Sequence, residues 1–175
     1  MKKSKAVIGV LCGILAVALV VASVMVQIYG GRRQEAKANK KTTTLVVYFS
    51  ATGTTKKAAR KVKKATKGKL YRIKAAQSYT REDLDYYTKD NCRAQKEQND
   101  DNARPEITGS IKNMSEYETI YIGYPIWWGK EPKIIRTFLE SYDLKGKKII
   151  PFCTSGGSGI SGSMSEIRES AKGAN

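Results

Sequence analysis

The chain has 175 residues, with 32 Lys and Arg against 16 Asp and Glu, and it contains no histidine. The lack of histidine excludes a Ser-His-Asp or Cys-His nucleophile. The three cysteines, Cys12, Cys92 and Cys153, form no C-x-x-C pair, so we expect neither a disulfide framework nor a bound metal. About 135 residues follow an apolar N-terminal segment, enough for one domain that buries its own core.

The basic residues are concentrated in the first half of the chain. Residues 1–81 contain 19 Lys and Arg but a single acid, Glu35. Such a block is typical of a solvated basic face. Contact with anionic membrane lipids is the second interpretation, because the block begins beside an apolar segment. No recognition motif accompanies the charge, so we expect no nucleic-acid partner.

The N-terminal residues predict a membrane anchor. Residues 1–5 form a basic tail, and residues 6–29 carry no charge. A helix of that length spans about 36 Å, more than the ~30 Å hydrocarbon core of a bilayer. A cleavable signal peptide is the alternative, although its apolar region is usually only ~7–15 residues long. Residues 30–42 then form a basic linker to a domain at 43–175.

The orientation of this predicted single-pass anchor is set by two opposing signals. Cations flank both sides of the span, and their number slightly favours a cytoplasmic domain. The short N-terminal tail before a first signal-like helix favours the opposite. We predict a membrane localisation with the domain on the extracytoplasmic side.

Strands and helices are predicted to alternate through the domain. Predicted strands cover residues 44–49, 69–75, 117–123 and 148–153. Between the first two, Ala58, Ala59, Val62 and Ala65 predict one face of a helix that Gly68 ends. Another helix follows Pro132, and the motifs at 80–83 and 163–166 predict capping boxes that open two more. The alternation predicts an α/β fold with an open parallel sheet, whose ligands bind at the carboxyl ends of the strands.

The loop at residues 50–55 (SATGTT) predicts a phosphate site. Its four hydroxyls, one glycine and the following helix start offer backbone N–H groups, O–H groups and a helix dipole to an anion. An ordinary capped helix start is the alternative, but it needs only one hydroxyl. No P-loop consensus is present, so Walker-type nucleotide binding is not expected.

Two further loops predict contacts to a flat ligand. Trp127 and Trp128 are adjacent in a strand-to-helix loop, where an aromatic ligand would explain them better than solvent. A plug over the sheet end is the alternative. Residues 153–159 (CTSGGSG) let the backbone approach a planar group closely. Residues 157–162 also fit G-x-G-x-x-G, but the acidic residue that a dinucleotide site wants ~20 positions later is missing.

Together the three loops resemble those of the flavodoxin-like family, in the family's order. They lie at residues 46–55 (VVYFSATGTT), 121–129 (YIGYPIWWG) and 151–159 (PFCTSGGSG). The resemblance covers residues 43–175 and implies bound FMN. It implies a phosphate held by Ser50, Thr52, Gly53, Thr54 and Thr55. It implies an isoalloxazine ring lined on one side by Pro125, Ile126, Trp127, Trp128 and Gly129. Another edge of the ring would be lined by Ser155, Gly156, Gly157 and Ser158.

The chain departs from the family pattern in two ways. The resemblance implies five strands in the order 2-1-3-4-5, and the sequence ends before the fifth. We therefore expect an order of 2-1-3-4, an open edge at the fourth strand, and thinner cover over Ile149, Ile150, Phe152 and Val46 or Val47. Such a domain would be marginally stable or self-associating. Unlike many flavodoxins, it is not acidic, so their docking partners are not carried over. Residues 77–113 resemble an insertion found in some members, with no chemistry assigned.

Three functions remain open. The first is an FMN-dependent electron carrier with no catalytic side chain, serving a redox partner protein or a quinone. The second is an NAD(P)H- or quinone-dependent flavin oxidoreductase. The third is a cofactor-free interaction module at the membrane.

Overall fold

The structure is a computed structural model and describes residues 42–85, 87 and 92–175. The predicted tail at 1–5, the predicted span at 6–29 and the linker up to residue 41 lie outside the described residues, so the anchor stays a prediction. Among the helices of the described part, none combines the length and the apolar character that crossing a bilayer demands.

A four-stranded parallel sheet forms the centre of the domain. The strands are β1 (Thr44–Tyr48), β2 (Lys69–Arg72), β3 (Lys74–Ala75), β4 (Ile107–Thr108), β5 (Thr119–Pro125) and β6 (Lys148–Thr154). The helices are α1 (Thr54–Thr66), α2 (Arg93–Asn99), α3 (Lys133–Glu140) and α4 (Met164–Ser170). The main sheet has the order β2-β1-β5-β6, while β3 and β4 form a separate antiparallel pair. The α/β class and the 2-1-3-4 order of the long strands are confirmed.

The sheet is covered unequally on its two faces. On one face, Leu45, Val47 and Phe49 belong to a large core that includes the apolar face of α3. That helix buries four apolar side chains, each contributing roughly 1.5–3 kcal/mol: Ile134, Ile135, Phe138 and Leu139. On the other face, Val46 and Tyr48 pack against α1, where Ala59 is the buried apolar residue. Ala65, predicted on the same face, is exposed.

The outer strand β6 is an edge in the described part of the chain, as expected. Ile149, Ile150 and Phe152 are only half-buried, whereas Val46 and Val47 are fully buried, so the predicted thinning at those two valines is wrong. Part of this edge is hydrogen-bonded to the last residue: the Ile149 N–H donates to the Asn175 carbonyl at 3.0 Å, and the Asn175 N–H donates to Lys147 at 2.8 Å. The marginal stability of the domain stays a prediction.

Three local predictions need correction. The predicted strand 69–75 breaks at Ile73, which is buried and donates its N–H to the Tyr48 carbonyl at 2.8 Å. The capping box at 80–83 forms in both directions, but a single 3-10 turn follows it, not an α-helix. The capping box at 163–166 is wrong, because Ser163 makes no capping hydrogen bond and the Glu166 carboxylate binds Lys130. Helix α2 was not predicted.

Candidate functional site

The three predicted loops surround one cavity of ≈ 880 Å³ at the carboxyl ends of β1, β5 and β6. All the predicted site residues except Gly53 line it: Ser50, Thr52, Thr54, Thr55, Pro125, Ile126, Trp127, Trp128, Gly129, Ser155, Gly156, Gly157 and Ser158. Five further lining residues were not predicted: Ala51, Leu84, Tyr87, Ala94 and Thr154. The described wall carries no charged side chain, so a bound anion would be held by neutral donors and by dipoles.

The first loop is shaped by one glycine and two hydroxyls. Gly53 has φ 93°, a left-handed conformation that glycine adopts without strain. Its N–H donates to Ser50 Oγ at 3.1 Å, which closes the loop on itself. Thr55 is buried, and its hydroxyl lies 2.8 Å from the Thr154 hydroxyl at the end of β6. The first and third loops are therefore joined at the cavity wall.

The start of α1 presents unused hydrogen-bond donors at this wall. The first backbone bond of the helix runs from Lys57 N–H to the Gly53 carbonyl at 3.3 Å. The N–H groups of the residues before Lys57 have no acceptor within the helix. No acidic side chain occupies the first turn, and no side chain caps it. With the exposed hydroxyls of Thr52 and Thr54 beside them, these donors form an arrangement suited to a phosphate.

The second loop is a tight turn that contains backbone strain. The N–H and carbonyl groups of Trp127 and Lys130 bond each other at 2.9 and 3.0 Å. The two residues between them, Trp128 and Gly129, have φ 47° and 80°, the signature of a type I′ turn. A tryptophan in this region costs about 1–2 kcal/mol. Strain of this kind persists where surrounding contacts impose it, and it is common at ligand sites.

The two tryptophans have different environments. Trp127 packs edge to face against Phe49 and Tyr79, with ring centroids 5.7 and 5.3 Å away. It therefore plugs the sheet end, which is the alternative that the sequence left open. Trp128 lies at the cavity wall with 46% of its surface exposed. Trp128 is therefore the more exposed of the two tryptophans at the cavity wall.

Helix α2 holds the tryptophan turn in place through Gln98. The Gln98 amide nitrogen donates to the carbonyls of Trp127 at 3.0 Å and Glu131 at 3.1 Å. Its oxygen accepts the N–H of Lys133 at 3.2 Å. The insertion at 77–113 thus has a structural role that sequence reasoning missed. No local signal could have revealed it, because the bonded groups lie 29 to 35 residues apart.

A buried ion-pair network lies beneath the same turn. The Glu131 carboxylate is buried and accepts a hydrogen bond from Arg136 Nε at 3.0 Å, while its second oxygen has no partner. Burial raises the pKa of Glu131. Next to it, Glu166 pairs with Lys130 at 2.6 Å and reaches Arg136 at 3.6 Å. Burial by itself would raise the pKa of Glu166. The hydrogen bonds from Lys130, Ser165 and the backbone outweigh this effect and lower the pKa to about 2.

The ion pair of Glu166 predicts a pH-dependent stability. A carboxylate whose pKa is lowered in the folded state stabilises the protein above its unfolded pKa, here 4.5, and loses that contribution as the pH falls toward about 2. We expect the melting temperature to fall over this window in the parent protein and to fall less steeply in Glu166→Gln. Thermal melts followed by circular dichroism from pH 5 to about 2 measure this. Equal slopes would contradict the assignment, and Glu118→Gln, at an exposed acid, is the control.

The third loop leaves its backbone open to the cavity. The Gly157 N–H donates to Ser155 Oγ at 3.0 Å, and a Cβ added at Gly156 or Gly157 would meet nothing within 4 Å. The glycine that completes the G-x-G-x-x-G match has another role. A Cβ at Gly162 would lie 2.3 Å from the Gly129 carbonyl, so Gly162 lets the chain pass the tryptophan turn. Close packing of Gly162 against Gly129 therefore explains the glycine at this position of the G-x-G-x-x-G pattern, and no bound dinucleotide is needed to explain it.

The fold and this cavity define a doubly wound α/β domain with a cofactor site at the switch point of its sheet. A family model described as flavodoxin matches residues 43–175. The chain therefore belongs to the flavodoxin family.

Solved structures support the same family. A predicted flavoprotein of Bacteroides uniformis is 45% identical, with a TM-score of 0.71, over 75% of this chain and 85% of its own. One from Bacteroides eggerthii is also 45% identical, with the same TM-score, over 75% and 84%. A Lactobacillus acidophilus flavoprotein, solved in complex with FMN, is 32% identical with a TM-score of 0.62, over 75% and 87%. None of the curated proteins matches significantly.

Proposed function

We propose that this protein is an FMN-binding electron carrier tethered to a membrane. The observation that carries the proposal is that one cavity, whose described lining is uncharged, combines two kinds of wall. The first loop contributes hydroxyls and the N–H groups at the start of α1, and the other two loops contribute Trp128 and the open glycines Gly156 and Gly157. This is the donor set and shape that a phosphorylated planar cofactor needs. FMN, the ligand in the Lactobacillus relative, has both parts.

The residues fit FMN without a charged partner. Ser50, Thr52, Thr54 and the start of α1 would hold the phosphate, and Trp128 would lie on the ring. FMN, when bound, supplies the redox chemistry. The chain would bind and orient it, and Trp127, packed against Phe49 and Tyr79, would close the cavity at the end of the sheet. Among the described residues that line the cavity, none is a carboxylate, a lysine or an arginine.

The visible spectrum of the full chain titrated with FMN tests the proposal. We expect one equivalent to bind with a shifted flavin band, and riboflavin to bind more weakly because it lacks the phosphate. A protein that leaves the FMN spectrum unchanged at any concentration would refute the proposal and favour the cofactor-free module.

A flavin oxidoreductase is the second candidate, favoured by the apolar side chains that the insertion adds to the cavity. Leu84 and Ala94 line it from outside the three family loops. They would suit a flat substrate, such as a quinone or a nicotinamide ring, placed over the flavin. Stopped-flow reduction of the FMN-loaded chain separates the two functions. Rapid reduction by NADH or NADPH favours the enzyme, and no reduction by either favours the carrier.

The tryptophans predict distinct effects on flavin fluorescence. We expect strong quenching when FMN binds and a partial recovery in Trp128→Ala, because that ring lies exposed on the cavity wall. Trp127→Phe keeps an aromatic plug and should retain the quenching. Steady-state fluorescence at saturating FMN measures both. Full quenching in Trp128→Ala would show that another group contacts the ring.

A further inference from the structure

Helix α1 exposes a concentration of positive charge, of which only Lys63 and Lys64, in its last turn, interact favourably with the helix dipole. It carries Lys56, Lys57, Arg60, Lys61, Lys63 and Lys64, with no acid. Several of these lie four residues apart, such as Lys57 and Lys61, where like charges destabilise a helix. Within residues 42–85, 87 and 92–175, none of the six takes part in an ion pair. The described contacts therefore leave these cations able to bind an external anion.

The far end of this helix belongs to a basic pole of the domain. The parallel register brings the start of every long strand to one end of the sheet, with Thr44 opposite Thr119, and Thr119 opposite Lys148. The end of α1 reaches the same place, because a Cβ at Gly68 would lie 3.1 Å from the Thr44 side chain. The exposed cations at this end of the sheet are together called the basic pole. They are Lys63, Lys64, Lys67, Lys69 and Lys148. Glu118, which precedes Thr119, is an acid at this pole.

The chain enters the domain at the basic pole. Thr44 begins β1, and the residues before it lead back to the predicted linker at 30–42 and the predicted span at 6–29. No acid occurs between residues 36 and 81, so the positive charge continues from the linker into α1. The cofactor cavity lies at the opposite end of the sheet, where the strands finish.

We propose that the basic pole binds the anionic headgroups of a lipid bilayer. Lipid is favoured over an acidic protein because all five cations are lysines, which are depleted at protein interfaces. A lysine is a point charge on a flexible stem and suits a fluid layer of phosphates. Bound this way, the domain directs its cavity away from the bilayer. The proposal relies on the predicted anchor to bring the basic pole near the bilayer. It does not require bound FMN.

Hydrogen exchange of the full chain tests the proposal. The probes are vesicles of phosphatidylcholine alone and of phosphatidylcholine mixed with phosphatidylglycerol. We expect amide exchange at the end of α1 and the start of β2 to slow severalfold only with the anionic vesicles, and to recover at high salt, which screens the attraction. The triple variant Lys63→Gln, Lys64→Gln, Lys67→Gln should lose this protection.

A matched variant controls for net charge. Lys74→Gln, Arg81→Gln, Lys96→Gln removes three exposed cations away from the basic pole and should keep the protection. Equal loss in both variants, or equal protection by both kinds of vesicle, would overturn the proposal. Protection by polyglutamate but not by anionic vesicles would also overturn it and assign the pole to an acidic protein. The FMN titration of the same variants, expected to be unchanged, keeps this result separate from the proposed function.

Discussion

Replacing Thr52 and Thr54 together by valine should weaken FMN binding by about a hundredfold to ten-thousandfold. Both hydroxyls are exposed beside the start of α1 and lie 3.5 Å apart, and neither is needed to close the loop. A hydrogen bond to a charged group contributes about 1.5–3 kcal/mol. Two such bonds correspond to about 3–6 kcal/mol, and each 1.4 kcal/mol is about tenfold in affinity. Fluorescence titration with FMN measures the change.

Riboflavin provides the decisive comparison for this loop. It has the ring but not the phosphate, so its affinity should change little in the double variant. Thr43→Val together with Thr108→Val is a matched control, because both side chains are exposed and lie outside the cavity. If FMN and riboflavin weaken equally, residues 50–55 do not hold the phosphate.

Arg136→Met should lower the free energy of unfolding by about 3–5 kcal/mol, the range for breaking a buried ion pair by removing one partner. The Arg136 side chain is 9% exposed, and its partner Glu131 is completely buried. The substitution leaves the Glu131 carboxylate without its cation in a site that already disfavours the charge. Ordinary domains have only about 5–15 kcal/mol of stability, so the loss should be large in urea denaturation.

The double variant Glu131→Gln, Arg136→Met should recover much of that stability, because it removes the uncompensated charge. The exposed pair Arg104 and Glu140 supplies a control with similar chemistry. Its side chains are 36% and 40% exposed, and Arg104→Met should cost no more than about 1 kcal/mol. Similar losses in Arg136→Met and Arg104→Met would mean that burial does not set the strength of these pairs.

The location of the candidate site followed from local sequence. After Thr44, β1 is a continuous apolar run that had to be buried on both faces, and a loop rich in hydroxyls had to emerge at its carboxyl end. The same reasoning applied to the ends of β5 and β6. Parallel strands carry these ends to one edge, which is why nearly all the predicted residues share one cavity.

Predictions from local sequence patterns were wrong or incomplete where residues distant in sequence contact the same side chain. Ser163 and Glu166 have the spacing of a capping box, but Lys130 binds the carboxylate and Ser163 is completely buried. Adjacent tryptophans look equivalent in sequence. Only the packing of Phe49 and Tyr79 makes Trp127 a plug and leaves Trp128 at the wall.

The sequence by itself therefore determined the fold class and the three loops, because those depend on periodicity and on turn chemistry within a few residues. The strand order was implied by the resemblance to the flavodoxin-like family. The tertiary structure alone decided the role of the insertion and the conformation of the tryptophan turn. Gln98 reaches that turn across 29 residues, and Gly162 is required by the Gly129 carbonyl 33 positions before it. Contacts between residues that far apart produce no periodic pattern in the sequence, because the packing of the whole domain determines which residues meet.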